Sequence, residues 1–254
     1  MRKVIFTILL AALFVGCKTE EHTLIFEEQF LETTLDTAHW NYELGDGCPN
    51  LCGWGNNERQ VYTKENVSVK DGHLIITATK DSTLYRSGRI TTSDKVEFQY
   101  GTVEVRAKLA TGEGLWPAIW LLGSDIDTVG WPACGEIDMM EYVGKNPNEI
   151  FTTLHTSDSY GNSKNSKITI NEYIEEGFHV YKTNWTEDAI SFYIDDTLVY
   201  TFSPEVKTEK TWPFNRPFYI ILNMAIGGNF GGPEVDDSIF PQEFVVDYVK
   251  VYKN

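Results

Sequence analysis

Hydrophobic and polar residues along this chain alternate with a period of two rather than 3.6. In GTVEVRAKLA, Val103, Val105 and Ala107 fall on one face and Thr102, Glu104, Arg106 and Lys108 on the other, the alternation of a half-buried strand. Similar runs predict strands at residues 73–79, 95–109 with a glycine break, 117–123, 136–143, 150–155, 179–185, 190–196, 218–224 and 244–252. Turn-rich pieces such as KDGH and DSYGNSKNSK punctuate them. No long amphipathic helix competes, and the Trp-Pro pairs at Trp116, Trp131 and Trp212 are too unevenly spaced for a repeat. So many short strands with short connections predict an all-β chain, an antiparallel two-sheet β-sandwich rather than alternating βαβ units.

The N-terminus departs from this pattern. Arg2 and Lys3 precede an apolar run from Val4 to Val15, the length of a secretory signal core and too short to cross a bilayer of about 30 Å as a helix. The run ends in FVGC, which resembles a bacterial lipoprotein box, with Phe14 where Leu is usual. The expectation is a cleaved leader over residues 1–16, a lipidated Cys17 with a polar tether over 17–23, and one folded domain over 24–254. Plain secretion or a buried N-terminal strand is the alternative. This places the protein in a bacterial cell envelope, at the outer membrane or cell surface, held to the membrane through its lipid alone.

Charge narrows the partners. There are 37 acidic against 21 basic side chains, a formal charge of −16, and loss of Arg2 and Lys3 with the leader makes it 37 against 19, or −18. Such a field opposes a nucleic-acid partner. Of the cysteines, Cys48 and Cys52 in CPNLC are close enough to bridge if their loop curls, which an exported compartment allows. Cys134, between Ala133 and Gly135, reads as a small packed residue, and the scattered histidines supply no closely spaced pair for zinc.

The densest chemistry lies in GEIDMMEYVG. Glu136 and Asp138 share a face by parity, whereas Glu141 points the other way in a regular strand. One extra residue at Met139 or Met140, a β-bulge, returns Glu141 to the same side. The glutamates then stand about 13 Å apart at Cα, and side chains leaning together leave about 5 Å between carboxyls, the separation used in retaining glycoside hydrolysis. The bland alternative is three acids on a solvated edge strand. Trp116, Trp120 and Trp131 arrive just before the acids, and indole faces stack on sugar rings, although each could equally be core. Earlier, WGNNERQVYT offers Asn56, Asn57, Glu58, Arg59 and Gln60 as hydrogen-bonding groups in a loop.

Taken in order, GDGCPNLCGWGNNERQVYT, YRSGRI, GLWPAIW, GWPACGEIDMMEYVG, Leu154-His155, ILNMAIGGNFGG and DYVKVY resemble glycoside hydrolase family 16, and within it the bacterial laminarinases that cut β-1,3-glucans. The resemblance covers nearly all of the chain after the leader. It implies a concanavalin-like jelly roll with a concave substrate groove, retaining endo-cleavage of a β-glucan by a monomer, and no cofactor for catalysis. By match to the family motif, Glu136 is the nucleophile, Asp138 the assisting carboxylate and Glu141 the general acid/base, with His155 near the acid/base. Asn56, Arg89, Trp116, Trp120 and Trp131 match sugar-contacting groups, and Asn223 lies where another strand reaches the groove. No acid neighbour in YRSGRI accounts for Arg89. A structural calcium on the convex face is also implied, at Gly72 and Asp247 with a backbone oxygen near Glu28 or Gln29. Agar- or carrageenan-cutting relatives, mixed-linkage glucanases and a non-catalytic carbohydrate-binding sandwich are the other readings; the acid charge disfavours sulfated polymers, the extra Met disfavours the mixed-linkage branch, and three crowded acids serve no purpose in a mere binder.

Overall fold

The computed structural model describes residues 23–253. The expected leader and Cys17 lie outside the described residues. Thr23, assigned above to the tether, instead opens the first strand and pairs with Lys253.

In chain order the strands are β1 (Thr23–Glu28), β2 (Asn41–Tyr42), β3 (Gln60–Tyr62), β4 (Val67–Lys70), β5 (His73–Asp81) and β6 (Leu84–Ser87). There follow β7 (Arg89–Thr91), β8 (Glu97–Phe98), β9 (Gly101–Lys108), β10 (Leu115–Gly123), β11 (Glu136–Tyr142) and β12 (Glu149–His155). The last six are β13 (Ser166–Ile170), β14 (His179–Trp185), β15 (Ile190–Ile194), β16 (Thr197–Phe202), β17 (Phe218–Ile226) and β18 (Gln242–Lys253). Among the described residues helix is confined to single turns, including α1 (Ile126–Val129) and α2 (Gly228–Gly231).

Two sheets result. The first runs β16-β15-β14-β9-β18-β5-β6-β3, with β1 beside β18 and β4 beside β5. The second runs β13-β12-β11-β10-β17-β7-β2, with β8 beside β17. All pairings are antiparallel except β3 with β6, which the antiparallel expectation did not include. The nine predicted strand runs all form strands; the break in the 95–109 run falls at Gln99 and Tyr100, and Gly101 opens β9.

Alternation explains the layering. In β9 the side chains of Val103, Val105 and Ala107 are fully buried and meet Phe244, Val246, Val249 and Val251 of β18 in one core. From the second sheet, Ile119, Leu121, Ile137, Ile220, Leu222 and Met224 enter the same core. Each such side chain contributes about 1.5–3 kcal/mol by leaving water, which sets the register of every strand that carries one. β17 is buried along its whole length because its second face, carrying Tyr219, Ile221, Asn223 and Ala225, is covered as well. That covered outer face of the second sheet is where the acids emerge.

Candidate active site

β11 carries a bulge. Against β12, Asp138 pairs with Thr153 and Glu141 with Phe151, so three residues on β11 span two on its partner. Against β10 the register slips at the same place, with Trp120 opposite Asp138 and Ile119 opposite Met140. Met139 is thus the inserted residue, and both Met139 and Met140 are buried in the central core. Two apolar side chains in succession satisfy the core at one point, and the strand resumes with Glu141 on the face of Glu136 and Asp138.

The three carboxyls are crowded and poorly compensated. Trp131 Nε1 donates to Glu136 Oε2 at 2.7 Å, and Trp116 Nε1 donates to Glu141 Oε1 at 3.0 Å. His155, directly across from Glu136 on β12, holds Nε2 3.2 Å from Asp138 Oδ2 and 3.8 Å from Glu136 Oε1. The family match put this histidine near Glu141; its direct contacts are with Asp138 and Glu136, and its charge reaches Glu141 as well. Asp138 Oδ2 and His155 Nδ1 are buried without a hydrogen-bond partner among the described residues.

Burial dominates the proton affinities. It pushes Glu136 up to about 8, reinforced by the charge of Asp138 and opposed by His155 and the Trp131 N–H. Asp138 is raised by burial and hydrogen-bonds Glu136. Glu141 rises well above the ordinary glutamate range through burial and then the charge of Asp138. Three like charges in one dry place cannot all form, so the site retains protons at neutral pH.

The surrounding indoles are delivered by different means. Trp116 and Trp120 alternate with core residues on β10, beside β17. Trp131 comes from the loop between β10 and β11, which is pinched shut where Gly123 N donates to Gly135 O at 3.1 Å. A Cβ on Gly123 would lie 2.1 Å from the Cys134 carbonyl oxygen, so this closure requires glycine. Trp131 is 45% exposed and packs edge-on against Tyr160, which leaves indole surface open beside the acids. Cys134 beneath is fully buried, with its thiol pushed up to about 12, first by burial and then by Glu136, which makes it packing and no nucleophile.

Across β17 lies a second polar cluster. Trp120 Nε1 donates to Asn223 Oδ1 at 2.7 Å, Asn223 Nδ2 to Tyr62 Oη at 3.0 Å, and Tyr62 Oη to Glu58 Oε2 at 3.2 Å. Asn56 Nδ2 and Gln60 Nε2 also donate to Glu58. Arg89 has the acid neighbour that its own motif lacked: its Nε donates to Glu43, just after β2. Its guanidinium lies between indoles, 4.5 Å from Trp54 and 4.9 Å from Trp120. Sequence reasoning singled out neither Trp54 nor Glu43. Trp54 stood inside a quoted motif, but Glu43 lies 46 residues from Arg89 with nothing local to mark it. Phe230 of α2, packed edge-on against Trp116 and Phe151, was missed as well. The Cys48–Cys52 pair is bridged and closes the loop that leads to Trp54 and Asn56.

Among the described residues, metal-ligating groups gather in two places, Glu136 with Asp138 and His155, and Glu28 with Asp36 and His39, the ligand atoms in each lying within 4.8 Å of one another. The expected calcium position is elsewhere. β18 passes from pairing with β5 to pairing with β1 around Asp247, which brings the ends of those strands, and so Gly72 and Glu28, toward it. Yet the Asp247 carboxylate accepts from Arg106 and faces His73 Nε2 at 3.6 Å. A donor set whose one side chain is already paired to a guanidinium does not suit an ion that takes about six to eight oxygens.

Comparison with known proteins agrees with this architecture. The solved laminarinase of Flavobacterium sp. UMI-01 is 61% identical, superimposes with a TM-score of 0.90, and is covered over 100% of its chain by 91% of this one. The beta-glucanase of Rhodothermus marinus is 38% identical over 97% of this chain and 94% of its own. The glucan endo-1,3-beta-glucosidase A1 of Niallia circulans is 40% identical over 91% of this chain, which spans only 38% of that protein's length. The sandwich is therefore the jelly roll of these enzymes. The model of glycosyl hydrolases family 16 matches residues 55–249, a span that includes the bulged acid strand, Trp116, Trp120, Trp131 and Arg89, and the chain belongs to that family.

Proposed function

We propose that this protein is a retaining endo-β-1,3-glucanase acting on laminarin-type glucans. The observation that carries the reading is the bulge at Met139, which gathers the buried Asp138 and the half-buried Glu136 and Glu141 on one face with an indole N–H on each glutamate. In this reading the Glu136 carboxylate attacks the anomeric carbon while Glu141 gives its proton to the departing glycosidic oxygen. Glu141 then takes a proton from water, which displaces Glu136 and restores both groups. The division of labour follows from the neighbours: Glu136 has Trp131 and, at 3.8 Å, His155 to support its charge, whereas Glu141 hydrogen-bonds only the Trp116 N–H among the described residues and feels His155 from farther off. Asp138 shares a hydrogen bond with Glu136 and orients it, and His155 holds Asp138 in turn.

The Asn56, Arg89, Trp120 and Asn223 cluster is read as the floor for the sugars on one side of the cleaved bond, with Arg89 shaping Trp54 and Trp120 more than touching sugar. Trp116 and Trp131 then bracket the reacting ring. Calcium enters only as a structural ion that must displace Arg106 from Asp247. We further propose that Cys17 is acylated and anchors a monomer to the envelope; Cys17→Ala should release the protein to the soluble fraction, and detergent-dependent membrane association of that variant would exclude the anchor.

Substrate is tested by sizing products from laminarin, mixed-linkage glucan, agarose and carrageenan side by side. Short oligosaccharides from laminarin support the reading. Products from agarose or carrageenan alone would move the enzyme to a galactan-cutting branch of the same family.

A further inference from the structure

The outer face of the first sheet, opposite the acids, carries a cavity of about 400 Å³ lined by Thr102, Glu104, Lys182, Asn184, Tyr193 and Tyr252 with Asp196 at its edge. Cross-strand register explains it. One row across the sheet reads Tyr193, Lys182, Glu104, Lys250, and the next reads Ser191, Asn184, Thr102, Tyr252. The two tyrosines stand at opposite corners, three strand spacings or about 14 Å apart across the sheet. Between them the floor is low because Asn184 and Thr102 are short and tied to each other, Asn184 Nδ2 donating to Thr102 Oγ1 at 2.9 Å.

The charges in this hollow are answered locally. Lys182 pairs with Asp196, Glu104 accepts from Tyr248 Oη at 2.6 Å, and Lys250 pairs with Glu27 at 3.3 Å. No cation is left over to select a phosphate or sulfate, and the chain's charge of −16 repels anions at long range. Two separated tyrosine rings, Tyr193 with the Lys182 ammonium 5.3 Å from its centroid and Tyr252 at the far corner, flank a polar floor and suit a neutral, extended polyol. The span is several pyranose rings long, which excludes a single sugar as the natural occupant.

We propose that this cavity is a second, non-catalytic binding site for β-1,3-glucan chains, stacking them on Tyr193 and Tyr252. The inference rests on the reading of the enzyme as a β-1,3-glucanase. Because the site lies on the far sheet, it holds a neighbouring chain while the acids cut another, and on particles the two contacts act together. On short soluble substrates the second contact has nothing to add.

The test uses the full chain in a Glu136→Gln background to stop turnover, with insoluble linear β-1,3-glucan particles as the probe. Adding Tyr193→Ala and Tyr252→Ala should weaken particle binding by about five-fold or more, from loss of the second attachment. Tyr193→Phe with Tyr252→Phe keeps both ring faces and should retain binding. With Glu136 restored, the alanine pair should cut a soluble β-1,3-gluco-oligosaccharide at the parental kcat/KM, which certifies its fold, and release less sugar from particles. Unchanged particle binding by the alanine pair, with normal oligosaccharide cleavage, overturns the second site and spares the glucanase reading. Loss in the phenylalanine pair as large as in the alanine pair overturns stacking. If the parent cuts no β-1,3-glucan, it is the glucanase reading that fails, and this inference with it.

Discussion

Where β17 meets β7, the charge of Arg89 is buried against Glu43 and between two indoles, and its hydrogen-bonding neighbours Asn223, Tyr62 and Glu58 close into a chain. On β11, across β10 on the same face, Glu136, Asp138 and Glu141 crowd together with one histidine near Glu136 and Asp138 and an oxygen of Asp138 left without a hydrogen-bond partner among the described residues. The first cluster spends opposite charges on each other and gains rigidity. The second keeps like charges together, which costs stability and leaves protons ready to move. On the proposed reading, a fixed sugar floor and a mobile proton are tasks kept apart by the width of β10.

The largest effects should come from the uncompensated side. Glu136→Gln should take glucan hydrolysis to background, since no other group stands ready to form the glycosyl-enzyme. Glu141→Gln should lower kcat/KM on glucan by about 10²–10⁴-fold and spare an aryl glycoside whose leaving group needs no proton. Equal losses on both substrates for Glu141→Gln would deny it the acid role.

Next in size is the compensated side. Arg89→Ala leaves Glu43 unpaired and two indoles without their filling, and should cost about 2 kcal/mol in urea unfolding, below the full penalty of a buried pair because Glu43 is partly exposed. Its activity loss should appear in KM more than in kcat. A fall in kcat with KM unchanged would place Arg89 among the groups acting on the transition state.

The acid cluster should also reverse the usual pH dependence of stability. Glu136 binds its proton more tightly folded, at about 8, than at the ordinary 4.5, so the folded state carries more protons within that window. Its contribution is full below 4.5 and is lost as pH rises toward 8. Asp138→Asn, which removes the nearest like charge, should therefore raise the melting midpoint more at pH 8 than at pH 5. An equal gain at both values would mean that the carboxyls are solvated and independent.

The smallest effect concerns calcium. EDTA should leave the melting midpoint of the parent unchanged, while Arg106→Ala, which frees Asp247, should make it rise with added calcium. A large EDTA effect on the parent would show that Arg106 yields its partner readily.

Legibility in the sequence followed the same division. Period-two alternation found β9, β14 and β18, whose two faces differ in burial, and the parity of Glu136, Asp138 and Glu141 required the bulge that β11 contains. Edge strands such as β13 and β16 escaped because their exposed residues, Ile168, Ile170 and Leu198 among them, blur the alternation. Within the site, the acids were legible because they crowd into one segment. The Arg89 cluster was only half legible, since Glu43, Trp54 and Arg89 meet through sheet order and no local spacing records their contact. That His155 sits directly opposite Glu136 was likewise not legible, since strand pairing sets it and no local spacing records it.

The claim that the bulge gives two like glutamates opposite duties is tested most directly by azide rescue on an activated β-glucoside, with the anomeric configuration of the product read by NMR. Glu141→Ala should yield a β-glucosyl azide, because Glu136 still forms the intermediate and azide then replaces water. Glu136→Ala should yield the α-azide, the small anion attacking where the carboxylate is missing. The reverse pattern would exchange the two roles, and an inverted sugar product from the unmodified enzyme would contradict the covalent mechanism altogether.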